Sequence, residues 1–264
     1  AIRYNWTIIT MDFTGKVVII TGASSGIGAA TALLFAKHSA KLVLAARNED
    51  NLKKVATQCM NEKSGGVITV RADLTKDEDV QNIVSSAVAT FGRIDVLVNN
   101  AGVGVKGGIR EGVELFDRAM TTNVRAVYLL TSLATPYLVK SKGNVINVSS
   151  VAAFKPIKDM NFLPYCVSKA ALDQFTRCVA LELGREGVRV NSVNPGGTKT
   201  PFVENAGFTK EQSEQLFDIR DKIYPLRKVA TSEDVGDLIL FLASDRAKSI
   251  TGGTYVVDNG EMLM

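Results

Sequence analysis

The chain holds 264 residues, 46% hydrophobic and 22% charged, enough for one globular domain with a sizeable core. Its net charge of +4 comes without any run of more than two basic residues, which speaks against a surface that tracks nucleic-acid phosphates. No apolar run approaches the roughly 20 residues that a membrane-spanning helix needs.

The first ten residues, "AIRYNWTIIT", lack the charged start and apolar core of a signal peptide. Translation is expected to begin at Met11, with 1–10 a leader or an added extension and 11–264 a single domain. Strand one is "KVVIIT" (16–21), followed by a helix from about Gly26 to Lys37. The only histidine, His38, falls near the end of that helix, where a cation suits the helix dipole. A Ser-His-acid triad or a His-rich metal site would have only this residue to use, so no metal is expected. "KLVLAA" (41–46) is the second strand, with a helix over about 48–62, and "GVITVRAD" (66–73) the third. A helix through "KDEDVQNIVSSAVATF" leads to "IDVLVNN" (94–100), then to one long helix over about 112–139. "NVINVSS" (144–150), a helix from near Tyr165 to Arg185, and "VRVNSVNP" (188–195) come next. After a looser stretch, a helix at about 232–244 precedes "TYVVD" (254–258). Cys59, Cys166 and Cys178 show no metal or disulfide-framework spacing and fit a reducing, cytoplasmic setting. Cys166 has no visible base partner and reads as a packed thiol.

Val/Ile/Leu runs separated by helices indicate seven strands buried on both faces of a parallel sheet. Right-handed crossovers make this a doubly wound α/β domain with helices on both faces.

Two patterns carry chemistry. The first strand runs into "TGASSGIG", so Gly22, Gly26 and Gly28 lie where a strand turns into a helix N-terminus. Glycines there let the backbone approach a pyrophosphate, whose charge the helix end favours. In "YCVSK", Tyr165 and Lys169 are one helical turn apart, on one face. An ammonium beside a phenol is expected to lower the phenol's pKa from about 10.

With "NNAG" (99–102), "NVSS" (147–150) and "NPGG" (194–197), these motifs occur in the order of the short-chain dehydrogenase/reductase family, which the chain resembles from about Phe13 to Met264. It is similar in layout to 3-oxoacyl-carrier-protein reductases and carbonyl reductases of the single-domain, Rossmann-like branch. The resemblance implies interconversion of a secondary alcohol and a carbonyl, with Tyr165 as acid/base and Lys169 as its partner, also bonding the nicotinamide ribose. It implies that Ser150, rather than Ser149, holds the substrate oxygen, and that Asn123 interrupts its helix and anchors a water leading to the lysine. Nucleotide contacts are implied for Ser24, Ser25 and Ile27 within the glycine turn, and for Asp73 and Leu74 after the third strand. Asp73 could instead be a helix N-cap. Asn100, Ala101 and Gly102 would lie beside the adenosine ribose. Pro195, Gly196, Thr198 and Thr200 would hold the carboxamide, although threonines also form turns. A homotetramer is implied as well.

Fourteen residues separate Ser150 from Tyr165, longer than the family habit, and are expected to bulge towards the substrate mouth. The segment from about 200 to 228, with Phe202, Phe208, Phe217 and Tyr224, is expected to cover a largely apolar substrate pocket. Ala46 stands where an NAD site would carry an acid, and Arg47 and Asn48 follow. A guanidinium there suits a 2′-phosphate, so NADP(H) is the expected cofactor. NAD(H) is the alternative, because Glu49 or Asp50 could turn back and Ser25 supplies no second basic group. Two readings from other classes are a non-catalytic dinucleotide-binding regulator, which could dispense with Tyr or Lys, and a sugar-nucleotide epimerase, whose chains are longer.

Overall fold

The computed structural model describes residues 11–157 and 160–264; the expected extension at 1–10 lies outside the described residues. Seven strands form one sheet: β1 (Val17–Thr21), β2 (Lys41–Ala46), β3 (Gly66–Arg71), β4 (Val96–Asn99), β5 (Asn144–Val148), β6 (Arg189–Pro195) and β7 (Thr254–Val257). Their spatial order is β3-β2-β1-β4-β5-β6-β7, and every neighbouring pair is parallel. The expected doubly wound sheet is what the chain forms.

Alternation along the strands sends side chains to two cores. Val18, Ile20, Leu42 and Leu44 face helices α1 (Gly26–Lys37), α2 (Glu49–Met60) and α9 (Ser232–Ala243) through Phe35, Leu52 and Ile239. Val17, Ile19, Val43 and Leu97 face α3 (Asp77–Phe91), α5 (Ala126–Ser141) and α6 (Leu163–Leu183) through Ile83, Leu130 and Leu183. Strand order reverses at β1: β2 and β3 lie to one side and β4 to β7 to the other. The crevice beyond the carboxyl ends of β1 and β4 is where such a sheet accepts a ligand.

Three expected elements come out differently. The helical stretch expected over 112–139 is α4 (Val113–Met120), a π-helical turn at Thr121–Arg125, and α5, broken at the asparagine that the resemblance marks as helix-interrupting. The interruption centres on buried Asn123, whose Nδ2 donates to Val103 O at 3.0 Å and whose Oδ1 accepts from Val103 N at 2.8 Å. Helix α6 begins at Leu163, two residues before Tyr165, with Pro164 in its first turn, where a missing N–H costs nothing. The loose stretch after β6 contains α7 (Phe202–Asn205) and a full helix α8 (Lys210–Ile223). Thr209 and Gln212 start α8 with a reciprocal capping box.

Candidate active site

Beyond the β1 and β4 ends lies a cavity of about 770 Å³, running from Arg47 and Asp73 to Ser150 and Tyr165. Its floor depends on close packing of the glycine turn. Gly22 adopts φ +66°, and a Cβ on Gly28 would stand 2.4 Å from Gly22 O, so neither position admits a side chain. Asn100 Nδ2 donates to Thr21 O at 2.9 Å and to Gly22 O at 3.3 Å. Buried Thr21 Oγ1 accepts from the amides of Asn100 and Ala101, each at 3.1 Å. Thr21 thus joins the ends of β1 and β4, a role that sequence reading did not anticipate. Ser25 precedes α1 with an extended backbone and caps nothing with its side chain, leaving the first-turn amides free for an anion.

At the far end, Arg47, Asn48, Asp73 and Leu74 line the cavity. Asn48 is engaged as the N-cap of α2, accepting from Asn51 N at 3.0 Å. Asp73 is not a helix cap. It closes a turn by accepting from Thr75 N and Oγ1 at 3.1 and 2.9 Å, bonds that hold its carboxyl below the usual range, with the charge of Arg47 adding to them.

Ser150, Tyr165 and Lys169 converge at the other end. Tyr165 is buried against Phe162 and Phe202, with ring centroids 5.8 and 5.3 Å away. Lys169 Nζ lies 5.7 Å from the tyrosine ring centroid and donates to Val148 O at 2.8 Å. Burial pushes the Tyr165 phenol up to about 12, opposed by hydrogen bonding with Ser150. The same burial pushes Lys169 down to about 8, opposed by the charge of Asp173. The expected lowering of the phenol below 10 therefore does not arise: desolvation outweighs an ammonium that does not bond the hydroxyl. Ser149 Oγ donates to Lys169 O at 3.2 Å, whereas Ser150 Oγ accepts from Ala152 N at 3.1 Å beside the phenol. Asn123 meets Ser168 Oγ at 3.0 Å. A Cβ on Gly102 would lie 3.3 Å from Asn123 Oδ1 and 3.5 Å from Lys169 Nζ, so the loop carries no side chain between them.

Pro195, Gly196, Thr198 and Thr200 line the wall facing the glycine turn. Thr198 Oγ1 donates to Gly196 O at 3.0 Å, so this hydroxyl also stabilises its own turn. Of the four aromatics expected over the substrate, only Phe202 lines the cavity. Phe208 packs edge-on behind Phe162, centroids 6.5 Å apart, and Tyr224 is buried with its hydroxyl near Gly197. The cavity that holds Tyr165 is also lined by Ile157, Met160 and Phe162, together with Arg220 and Glu261, charged groups that were not foreseen. Arg220 Nη2 lies 3.8 Å from Met160 Sδ, and Glu261 Oε2 accepts from Gly197 N at 2.8 Å. Part of the fourteen-residue bulge forms this wall; Lys158 and Asp159 within it lie outside the described residues. Among the described residues no cluster of three or more His, Cys, Asp or Glu could hold a metal ion, and no helix is long and apolar enough to cross a membrane.

Residues 22–261 match a family model described as enoyl-(acyl carrier protein) reductase. The chain is 36% identical over 250 residues to a 2,5-dichloro-2,5-cyclohexadiene-1,4-diol dehydrogenase of Sphingobium indicum, covering 93% of this chain and 96% of that one. It is 35% identical over 252 residues to an L-xylulose reductase of Caenorhabditis elegans, covering 94% and 96%. Among solved structures, a Caenorhabditis elegans short-chain dehydrogenase/reductase with cofactor superposes with a TM-score of 0.90 at 37% identity, covering 96% and 97%. The L-sorbose reductase of Gluconobacter frateurii, complexed with NADPH and L-sorbose, gives 0.88 at 33%, covering 96% and 99%.

Proposed function

The chain belongs to the short-chain dehydrogenase/reductase family, NAD(P)-dependent enzymes acting on CH–OH and C=O groups, and on that premise we propose a carbonyl reductase that prefers NADP(H). The observation that carries the reading is the convergence of Ser150, Tyr165 and Lys169 at one end of a cavity whose other end presents Arg47 and a glycine turn. The residues fit a nicotinamide dinucleotide. Gly22 and Gly28 keep the turn bare where a Cβ would collide, and the first amides of α1 face the cavity uncapped.

When bound, the nicotinamide nucleotide supplies the hydride for reduction or accepts it in oxidation. The protein's residues handle the proton. Tyr165 Oη gives its proton to the carbonyl oxygen during reduction and takes it back during oxidation. Ser150 Oγ orients that oxygen, and Lys169 places a positive charge beside the phenol and the ribose. Asn123 holds the loop at Val103 and the helix at Ser168, supporting the water path to Lys169.

Support for NADP(H) comes from residues after β2. Ala46 provides no carboxylate, Arg47 lines the cavity, and Glu49 is turned along α2 to Lys53 at 2.8 Å. A ketone substrate with a substantial apolar part suits Ile157, Met160, Phe162 and Phe202, with Arg220 at the same end. A homotetramer suits the exposed apolar side chains Val113, Phe116, Tyr128 and Val167 on α4, α5 and α6, and Val256 on β7.

Purified protein titrated with each nucleotide and assayed against ketones, diketones, quinones and ketoses tests both parts. NADPH binds more tightly than NADH, and Arg47→Asp weakens NADPH by about 2–3 kcal/mol, the scale of a charge-assisted bond, without weakening NADH. A parent protein that prefers NADH overturns the cofactor assignment.

A further inference from the structure

The mechanism leaves a buried carboxylate close to Lys169 unused. Asp173 lies on α6 one turn beyond Lys169 and is 2% exposed. Burying a charge is costly unless partners compensate it. Its Oδ1 accepts from Ser192 Oγ at 2.9 Å and its Oδ2 from Asn194 Nδ2 at 2.8 Å, both partners on β6. Asn194 Nδ2 also donates to the Ser150 carbonyl at 3.1 Å, and Ser192 Oγ lies 2.8 Å from Asn194 Oδ1. Asn194 and Ser192 are themselves fully buried. A closed triangle of hydrogen bonds thus ends on the main chain of the serine beside the phenol.

We propose that Asp173 is a positioning residue of the reaction: its carboxylate is the counter-charge for the Lys169 ammonium and, through Asn194, fixes the main chain at Ser150. This rests on the reading of Lys169 and Ser150 as members of the catalytic set. Asp173 and Lys169 form no contact ion pair within 4.0 Å among the described residues, so the carboxylate acts on the lysine through its field. The surroundings leave that field unopposed. On α6 the ionisable groups near Lys169 are Tyr165 and Asp173. Strand β5 faces it with the Val148 carbonyl, and the loop after β4 and the π turn face it with Gly102 and Asn123, none of them charged. Burial works against the ammonium, and Asp173 is the group whose charge opposes that burial.

Asp173→Asn keeps the size of the side chain and removes its charge. Turnover in ketone reduction falls about tenfold, and the alkaline limb of its pH profile moves about one unit lower, because Lys169 loses its proton more easily. Asn194→Ala releases Ser150 while leaving the charge in place, so turnover falls and the limb stays. An Asp173→Asn profile that superposes on the parent after scaling overturns the proposal, since a merely structural defect lowers turnover alike at every pH. Unchanged turnover in Asn194→Ala overturns the Ser150 arm. Should Asp173→Asn not fold alone, the pair is read in Lys169→Met, which orphans the carboxylate. There Asp173→Asn raises resistance to urea, and a double variant no more stable than Lys169→Met overturns the charge pairing. Lys169→Met retaining parental turnover would reject the catalytic role of the lysine itself, a separate outcome.

Discussion

Tyr165 and Lys169 are pushed in opposite directions by one cause, loss of water around the charged form of each. The sign of the pH dependence follows. Tyr165, at about 12, keeps its proton through the whole working range, so the proposed donor for reduction stays loaded. Lys169, lowered to about 8, is charged below that pH and neutral above it. Reduction turnover is therefore level from pH 6 towards 8 and declines above it, a profile checked by steady-state assays at saturating nucleotide. Tyr165→Phe retains the ring and its packing against Phe162 and Phe202 but removes the proton. It lowers turnover about 100-fold or more with nucleotide affinity little changed, the scale expected when general acid help is lost. Turnover near that of the parent would reject Tyr165 as the acid.

Among the elements, α8 places Arg220 on the cavity wall, at the end where the proposed substrate would sit. Its start depends on the reciprocal bonds between Thr209 and Gln212, at 3.2 and 2.9 Å. Thr209→Ala costs this helix about 1 kcal/mol and speeds hydrogen exchange of its amides about fivefold. Exchange read by mass spectrometry over 209–223 checks this, and unchanged protection there refutes it. The same helix shows where sequence reading ran out. The strands were legible because β1 and β2 carry unbroken Val/Ile/Leu runs, and β5 sets Val145, Ile146 and Val148 among asparagines ahead of a serine pair. Helix α8 is polar with one fully buried position, Ser213, and offers no strong apolar period; its capping box was the available signal. Without that helix, Arg220 could not be placed at the cavity. Tyr165 and Lys169 were readable together because one helical turn joins them. The Asp173–Ser192–Asn194 triangle and its bond to Ser150 were not, because they form only when α6 and the ends of β5 and β6 are brought side by side. The break in the helix at Asn123 was legible from the family resemblance, but what holds it was not, since Val103 and Ser168 are not local to it.

At the scale of the whole molecule, α4, α5 and α6 carry apolar side chains that the protomer itself does not cover. Tyr128 is 64% exposed, its ring centroid 5.7 Å from that of Phe175 on α6, and Val113 and Val167 are also exposed. Exposed apolar side chains on these helices are what the proposed homotetramer would cover. Tyr128→Asp combined with Val167→Asp converts the assembly into smaller species in light-scattering chromatography, with the protomer still folded by circular dichroism. A parent protein that elutes as a monomer refutes the tetramer.

The bond between Gly197 N and Glu261 Oε2 joins positions 64 residues apart. It has a consequence for how the site comes into being during synthesis. A ribosome delivers the chain from its amino end, at roughly 5–20 residues per second. The glycine turn, Ser150, Tyr165 and Lys169 all emerge well before Glu261, so a nascent chain can hold its reacting groups while one wall is still inside the exit tunnel. The wall that Gly197 forms is therefore the part of the cleft that must wait for a contact distant in sequence.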